Sequence, residues 1–79
     1  MLEKDLSLNL LKIGTKAKVI KISSTGDIKR RLLDIGLIEN SLVECVLESP
    51  FNDPRAYFIK GATIALRNED AKDIMVRCI

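Results

Sequence analysis

The chain contains no histidine and no tryptophan, and its aromatic side chains are limited to Phe51, Tyr57 and Phe58. Without imidazole, the commonest general base and the commonest metal ligand are both missing. Asp53, Glu69, Asp70 and Asp73 are carboxylates set among turn residues, where such side chains cap and solvate. No nucleophilic serine, glycine-rich or paired-cysteine motif accompanies them. No enzyme activity and no catalytic residue is expected. Cys45 and Cys78 stand far apart with no neighbouring thiol, unlike a disulfide framework or a zinc knuckle, so both are expected reduced, with no tight metal site and no cofactor.

The shortage of aromatics also counts against a base-stacking surface for nucleic acid and an aromatic-lined groove for proline-rich peptides. No apolar run approaches the roughly 20 residues needed to span a bilayer. The opening MLEKDLSL has acidic residues where a signal peptide needs a positive region. A cytoplasmic chain without direct membrane insertion is expected. The net charge of +2 is far from the concentrated positive field of a nucleic-acid binder. The charge is uneven, however. Residues 1–37 carry eight Lys or Arg against four acids and residues 38–79 five against seven, an asymmetry able to orient a partner.

What is present is a dense succession of short elements. Seventy-nine residues can fill one hydrophobic core, so a single domain over 1–79 is expected. Residues 7–11 offer one helical turn, with Leu6, Leu10 and Leu11 available to a core edge and Gly14 ending it. Lys16 to Ile22 alternates lysines with apolar residues as a strand does, and the alternation slips after Val19, where a bulge fits. The polar run Ser23 to Asp27 supplies candidate N-caps for a helix over about 27–36. In that helix Ile28, Leu32 and Ile35 fall within about 60° of one another, and Gly36 is a natural left-handed stop. Lys29, Arg30 and Arg31 spread around the wheel, with Asp27 four residues before Arg31 and Asp34 four after Arg30 as local partners. The three cations are therefore a solvated collar rather than a phosphate-reading strip.

Leu42 to Glu48 is a second strand, with Val43, Cys45 and Leu47 on one face. SPFNDP at 49–54 is a loop, and Arg55 to Ile59 with Ala62 to Arg67 form a hairpin about Lys60-Gly61. Asn68 caps a turn at 68–72, and Ile74 to Ile79 closes the chain as a strand. Five short strands with one inserted helix suggest a small, mainly β barrel. Its expected core includes Val19, Ile28, Leu32, Val43, Cys45, Tyr57, Ile59, Ile64, Leu66, Ile74 and Val76.

The leading leucines with Gly14, KRRLLDIGL at 29–37, SPFNDP at 49–54 and KGATIALRNEDAKDIMV at 60–76 together resemble the ferrous-iron transport protein A (FeoA) family over nearly the whole chain. That resemblance implies a five-stranded SH3-like barrel. It also implies an accessory or regulatory role beside the membrane ferrous-iron transporter, whose cytoplasmic portion is a GTP-binding domain. Family members often have glycine where this chain has Asn40 and Asn52, and asparagine tolerates the same left-handed backbone. Two other roles go with the resemblance. A similar barrel serves as a module of iron-dependent transcriptional regulators, which would need a helix-turn-helix segment that this sequence does not contain. A GTPase-activating partner would offer Arg30, Arg31 or Arg55 as a catalytic finger.

Apolar residues left outside the expected core point to the partner surface. Leu33 lies off the helix stripe, Phe51 sits at a loop tip, and Phe58 points away from Tyr57 and Ile59. With Arg30 and Arg55 nearby, these residues form the expected contact with the transporter, made by a monomer.

Overall fold

The computed structural model describes residues 5–79; residues 1–4, included in the domain expected from the sequence, lie outside the described residues. Six strands and two helices follow in order: β1 (Asp5–Ser7), β2 (Lys16–Ile22), α1 (Gly26–Asp34), β3 (Leu42–Glu48), β4 (Arg55–Ile59), β5 (Ala62–Leu66), α2 (Asn68–Ala71) and β6 (Ile74–Cys78). A 3-10 turn at Leu8–Leu10 separates β1 from β2. All pairings are antiparallel, in the order β1-β6-β2-β3-β4-β5. The expected five strands are thus joined by a sixth, the three-residue β1, too short to show an alternation of its own.

The two long strands carry the sheet's curvature in their irregularities. In β2, Val19 faces Val76 and Lys21 faces Met75, so Ile20 is the extra residue of the expected bulge. A second shift in β3 sets Cys45 opposite Tyr57 and Leu47 opposite Ala56. That extra residue reverses the parity of the strand, and Leu47, expected on the same face as Val43 and Cys45, is exposed while those two are buried. The β4–β5 hairpin turns on Lys60 and Gly61, both at positive φ (49° and 85°), as a two-residue turn matched to strand twist requires.

Helix α1 buries Leu32 and half-buries Ile28 and Ile35. It starts without the side-chain cap expected from the serine-rich run, since Thr25 occupies the N-cap position and makes no such bond. Its end follows the sequence closely. Gly36 takes φ 90°, and Leu37 N–H donates back to Leu32 O at 2.9 Å, leaving Leu37 fully buried beneath the turn. A Cβ at position 36 would stand 3.1 Å from Lys60 Cδ, a flexible side chain able to shift, so the positive φ is what favours glycine. Asn40 and Asn52 adopt the left-handed backbone expected of them, at φ 73° and 65°. Among the described residues neither Arg30 nor Arg31 forms an ion pair, contrary to the pairing expected with Asp34 and Asp27. Exposed i,i+4 pairs gain little against the freedom of two long side chains.

The core is close to the one the alternation required: Val19, Leu32, Val43, Cys45, Tyr57, Ile59, Leu66, Ile74 and Val76 are buried, and Ile28 and Ile64 pack against them half-buried. The 3-10 turn rearranges the leucine cluster before β2, because its tighter winding brings Leu8 inside with Leu11 and leaves Leu10 exposed. Leu32→Ala should lower stability by about 2 to 5 kcal/mol in denaturant unfolding, whereas Leu33→Ala, one residue on and half exposed, should change it by less than about 1 kcal/mol. Equal losses for the two would mean that α1 packs through a different face.

Candidate functional site

Arg55 opens β4 immediately after the proline loop, and it is 5% exposed. Its Nη1 donates to Asn9 O at 2.5 Å and its Nη2 to Leu11 O, while Nε lies 3.5 Å from Glu48 Oε2. The last carbonyls of a helical turn have no partner within the turn, and this guanidinium fork supplies one. Two residues along the strand, Tyr57 Oη donates to Leu8 O at 3.4 Å, and the Arg55 Cζ stands 6.0 Å from its ring centroid. Arg55 was expected at the partner surface because the sequence showed no folding role for it. The structure corrects that premise, since the side chain is buried and both terminal nitrogens donate to the chain's own backbone.

The same end of the barrel holds an open cavity of about 470 Å³ lined by Asn9, Glu48, Asn52, Arg55 and Asn68 among others. The proline loop is clasped to α2 here: Asp53 Oδ1 accepts from Asn68 N–H at 3.0 Å, and Asn68 Nδ2 donates to Asn52 O at 2.7 Å. The side chain capping α2 therefore comes from the loop and not, as expected, from Asn68.

The other four candidate residues are exposed, but they do not form one patch. Phe58, 44% exposed, shares a groove with Leu42 and Ile79. Leu33, 50% exposed, lines a separate groove with Ile22, Lys29 and Ile38. Phe51 projects alone at 90% exposure, and Arg30 lies exposed on α1. Leu42 and Ile38 were missed by the sequence reading. For Leu42 the signal was available, because placing Val43 inside sends its neighbour outside.

The titratable groups of the core are chemically quiet. Burial pushes the Cys45 thiol up from its ordinary range, against the opposing pull of Arg55, and the group is a free thiol beneath the sheet. Among the described residues no three Cys, Asp or Glu side chains converge as metal ligands. No helix among them is long and apolar enough to cross a membrane.

A sequence model of the FeoA domain matches residues 6–78. A Porphyromonas gingivalis protein, an Fe(2+) transport protein A/Fe(2+) transporter FeoB fusion, is 30% identical over 74 residues, which are 94% of this chain and 9% of that one. The chain thus spans a small part of that relative. A putative Fe(2+) transport protein A of Campylobacter jejuni is 31% identical over 74 residues and is covered completely. The solution structure of a FeoA-like protein from Clostridium acetobutylicum superposes with a TM-score of 0.87 at 30% identity, covering 100% of this chain and 91% of that one. A Stenotrophomonas maltophilia FeoA complexed with zinc, described as a prokaryotic SH3 domain protein, superposes at 0.75 with 28% identity over 90% and 88% of the two chains. The fold is SH3-like. A manganese-dependent transcriptional repressor shares it at a TM-score of 0.87 but 21% identity, a likeness of fold alone, with this chain covering 44% of the repressor.

Two outcomes follow from the Arg55–Tyr57 cluster. Arg55→Ala should cost about 2 to 4 kcal/mol, and Arg55→Lys should recover little of it, because an ammonium cannot bridge two carbonyls as a planar fork does. Melting of both variants like the parent would show that the N-terminal segment is held by other contacts. Tyr57 is pushed up to about 12, chiefly by burial, from an ordinary value near 10. Its folded pKa is the higher one, so its contribution to stability is whole below pH 10 and is lost as pH rises toward 12. The parent should lose about 2 to 3 kcal/mol more than Tyr57→Phe over that window. Parallel pH profiles for the two proteins would contradict this.

Proposed function

The chain belongs to the FeoA domain family, a family of ferrous-iron transport, and on that premise we propose that it is an accessory protein acting by contact with the membrane ferrous-iron transporter and its GTP-binding portion. The observation that carries the reading is the Porphyromonas gingivalis relative, in which an A-type segment and the transporter share one polypeptide. Fusion joins functions exercised in the same place. The transporter's own activity is not assigned to this chain, which matches only a small part of the fusion. The surface suits a contact protein: several large apolar side chains are exposed in two separate grooves. A regulator's DNA-binding role rests on fold alone and is set aside.

If the contact also speeds GTP hydrolysis, the finger would be Arg30 or Arg31, since Arg55 is committed inside the barrel. Binding of the chain to the detergent-solubilised transporter from the same cell, with and without a GTP analogue, tests the proposal, with the hydrolysis rate as second readout. Association in at least one nucleotide state is expected. No association in either state would overturn the reading, and a rate rise lost in Arg30→Ala or Arg31→Ala would add the catalytic role. In equilibrium dialysis under reducing conditions the chain should retain less than stoichiometric ferrous iron. Stoichiometric retention would replace a contact role by an iron-binding one.

A further inference from the structure

The alternation that sends Ala17, Val43, Cys45, Tyr57 and Ile59 into the core sends Lys16, Lys18, Leu42, Glu44 and Phe58 to the outer face of the sheet. Register aligns them. Lys16 faces Glu44 and Glu44 faces Phe58, while Lys18 faces Leu42. Leu42 and Phe58 are therefore diagonal cross-strand neighbours, close enough for an aromatic ring to reach a leucine. At the end of β6, Ile79 N–H donates to Lys16 O at 3.3 Å, which brings Ile79 beside the same row. The result is a groove of about 290 Å³ with Leu42, Phe58 and Ile79 exposed by 60%, 44% and 70%.

Charge distinguishes this groove from the other apolar one. Lys16 and Lys60 line it, Lys18 stands directly opposite Leu42, and Glu44 is the single acid among the lining residues. The groove beside α1 is lined by one cation, Lys29, and one acid, Glu39, and has no such bias. Shape matters as well, because a recess accepts an inserted side chain, whereas a flat bilayer surface meets protruding residues best. We propose that the groove formed by Leu42, Phe58 and Ile79 docks an extended peptide segment of a protein partner, in which large apolar side chains are flanked by carboxylates. The inference rests on the protein-contact function above and names the chemistry of that contact. Apolar side chains fill the recess and supply affinity, while the carboxylates meet Lys16, Lys18 and Lys60 and supply orientation.

The probe is the blocked hexapeptide Glu-Glu-Phe-Leu-Glu-Glu, titrated into isotope-labelled chain and followed through its backbone amides. Perturbations should cluster at Leu42, Glu44, Phe58 and Lys60 and weaken with added salt. The same peptide with lysine flanks should bind about tenfold or more weaker. Phe58→Ser, at a half-exposed position, should weaken the acidic peptide by about tenfold or more with an unchanged amide spectrum elsewhere. The paired reversal Lys16→Glu with Lys60→Glu should weaken it while leaving the apolar floor intact. Equal affinity for both peptides, perturbations at the α1 groove, or no perturbation at all would overturn the proposal. So would Phe58-dependent sedimentation with phosphatidylglycerol vesicles in place of peptide binding, or a dimer that Phe58→Ser dissociates. Transporter binding that survives both variants would remove this surface and leave the proposed function. Peptide binding without transporter binding would keep the surface and remove that function.

Discussion

One buried cation fastens the start of the chain to the barrel. The segment before β2 has little regular structure, and its 3-10 turn ends in carbonyl groups that would be left without donors beneath the sheet. Arg55 meets two of them, those of Asn9 and Leu11, and Tyr57 adds a bond to Leu8 O, which already accepts the Leu11 N–H, both side chains coming from neighbouring inward positions of one strand. Leu8 and Leu11 are held in the core by that bracket, and β1 is then close enough to pair with β6. A buried guanidinium is tolerable here because both terminal nitrogens donate to carbonyls and Glu48 lies close enough to offset its charge, although Nε itself makes no hydrogen bond. The bracket also decides what Arg55 can do, since a side chain bound to its own backbone is unavailable to a partner.

Much of the fold could be read from alternation. β2 and β3 span the ranges read from the sequence, and the slip after Val19 marked the first bulge, because a period of two is a strong signal over seven residues. Gly36, Asn40, Asn52 and the Lys60-Gly61 pair announced their turns, since few residues accept a left-handed backbone. The failures share a cause. Leu47 was placed on the face of Val43 and Cys45, and Leu10 at a core edge, because a regular period was extended through a bulge and through a 3-10 turn, where one residue of slippage reverses every later side chain. β1 was invisible because three residues have no period to recognise.

The candidate surface was legible residue by residue but not as a surface. Phe58, Leu33 and Phe51 were identified as misfits, and all three are exposed. Their grouping depended on cross-strand register, which local sequence does not contain, and register separates Phe58 from Leu33 and gives it Leu42 as a neighbour. Arg55 was misjudged for a related reason. Its acceptors belong to Asn9 and Leu11, more than forty residues away along the chain, and only the tertiary fold brings them within reach.

The pairing of β1 with β6 bears on how such a unit sits inside larger polypeptides. Asp5 lies across from Arg77, so the points where the chain enters and leaves the barrel are neighbours on adjacent strands. A module whose two ends meet can be spliced at the head of another protein, or interrupted into one, with its six strands undisturbed. The Porphyromonas gingivalis relative, an Fe(2+) transport protein A/Fe(2+) transporter FeoB fusion, is an arrangement that this geometry permits. Sequence added after Ile79 would depart near the Asp5 end and at the rim of the groove that Ile79 lines with Leu42 and Phe58, so an attached neighbour would begin beside that face.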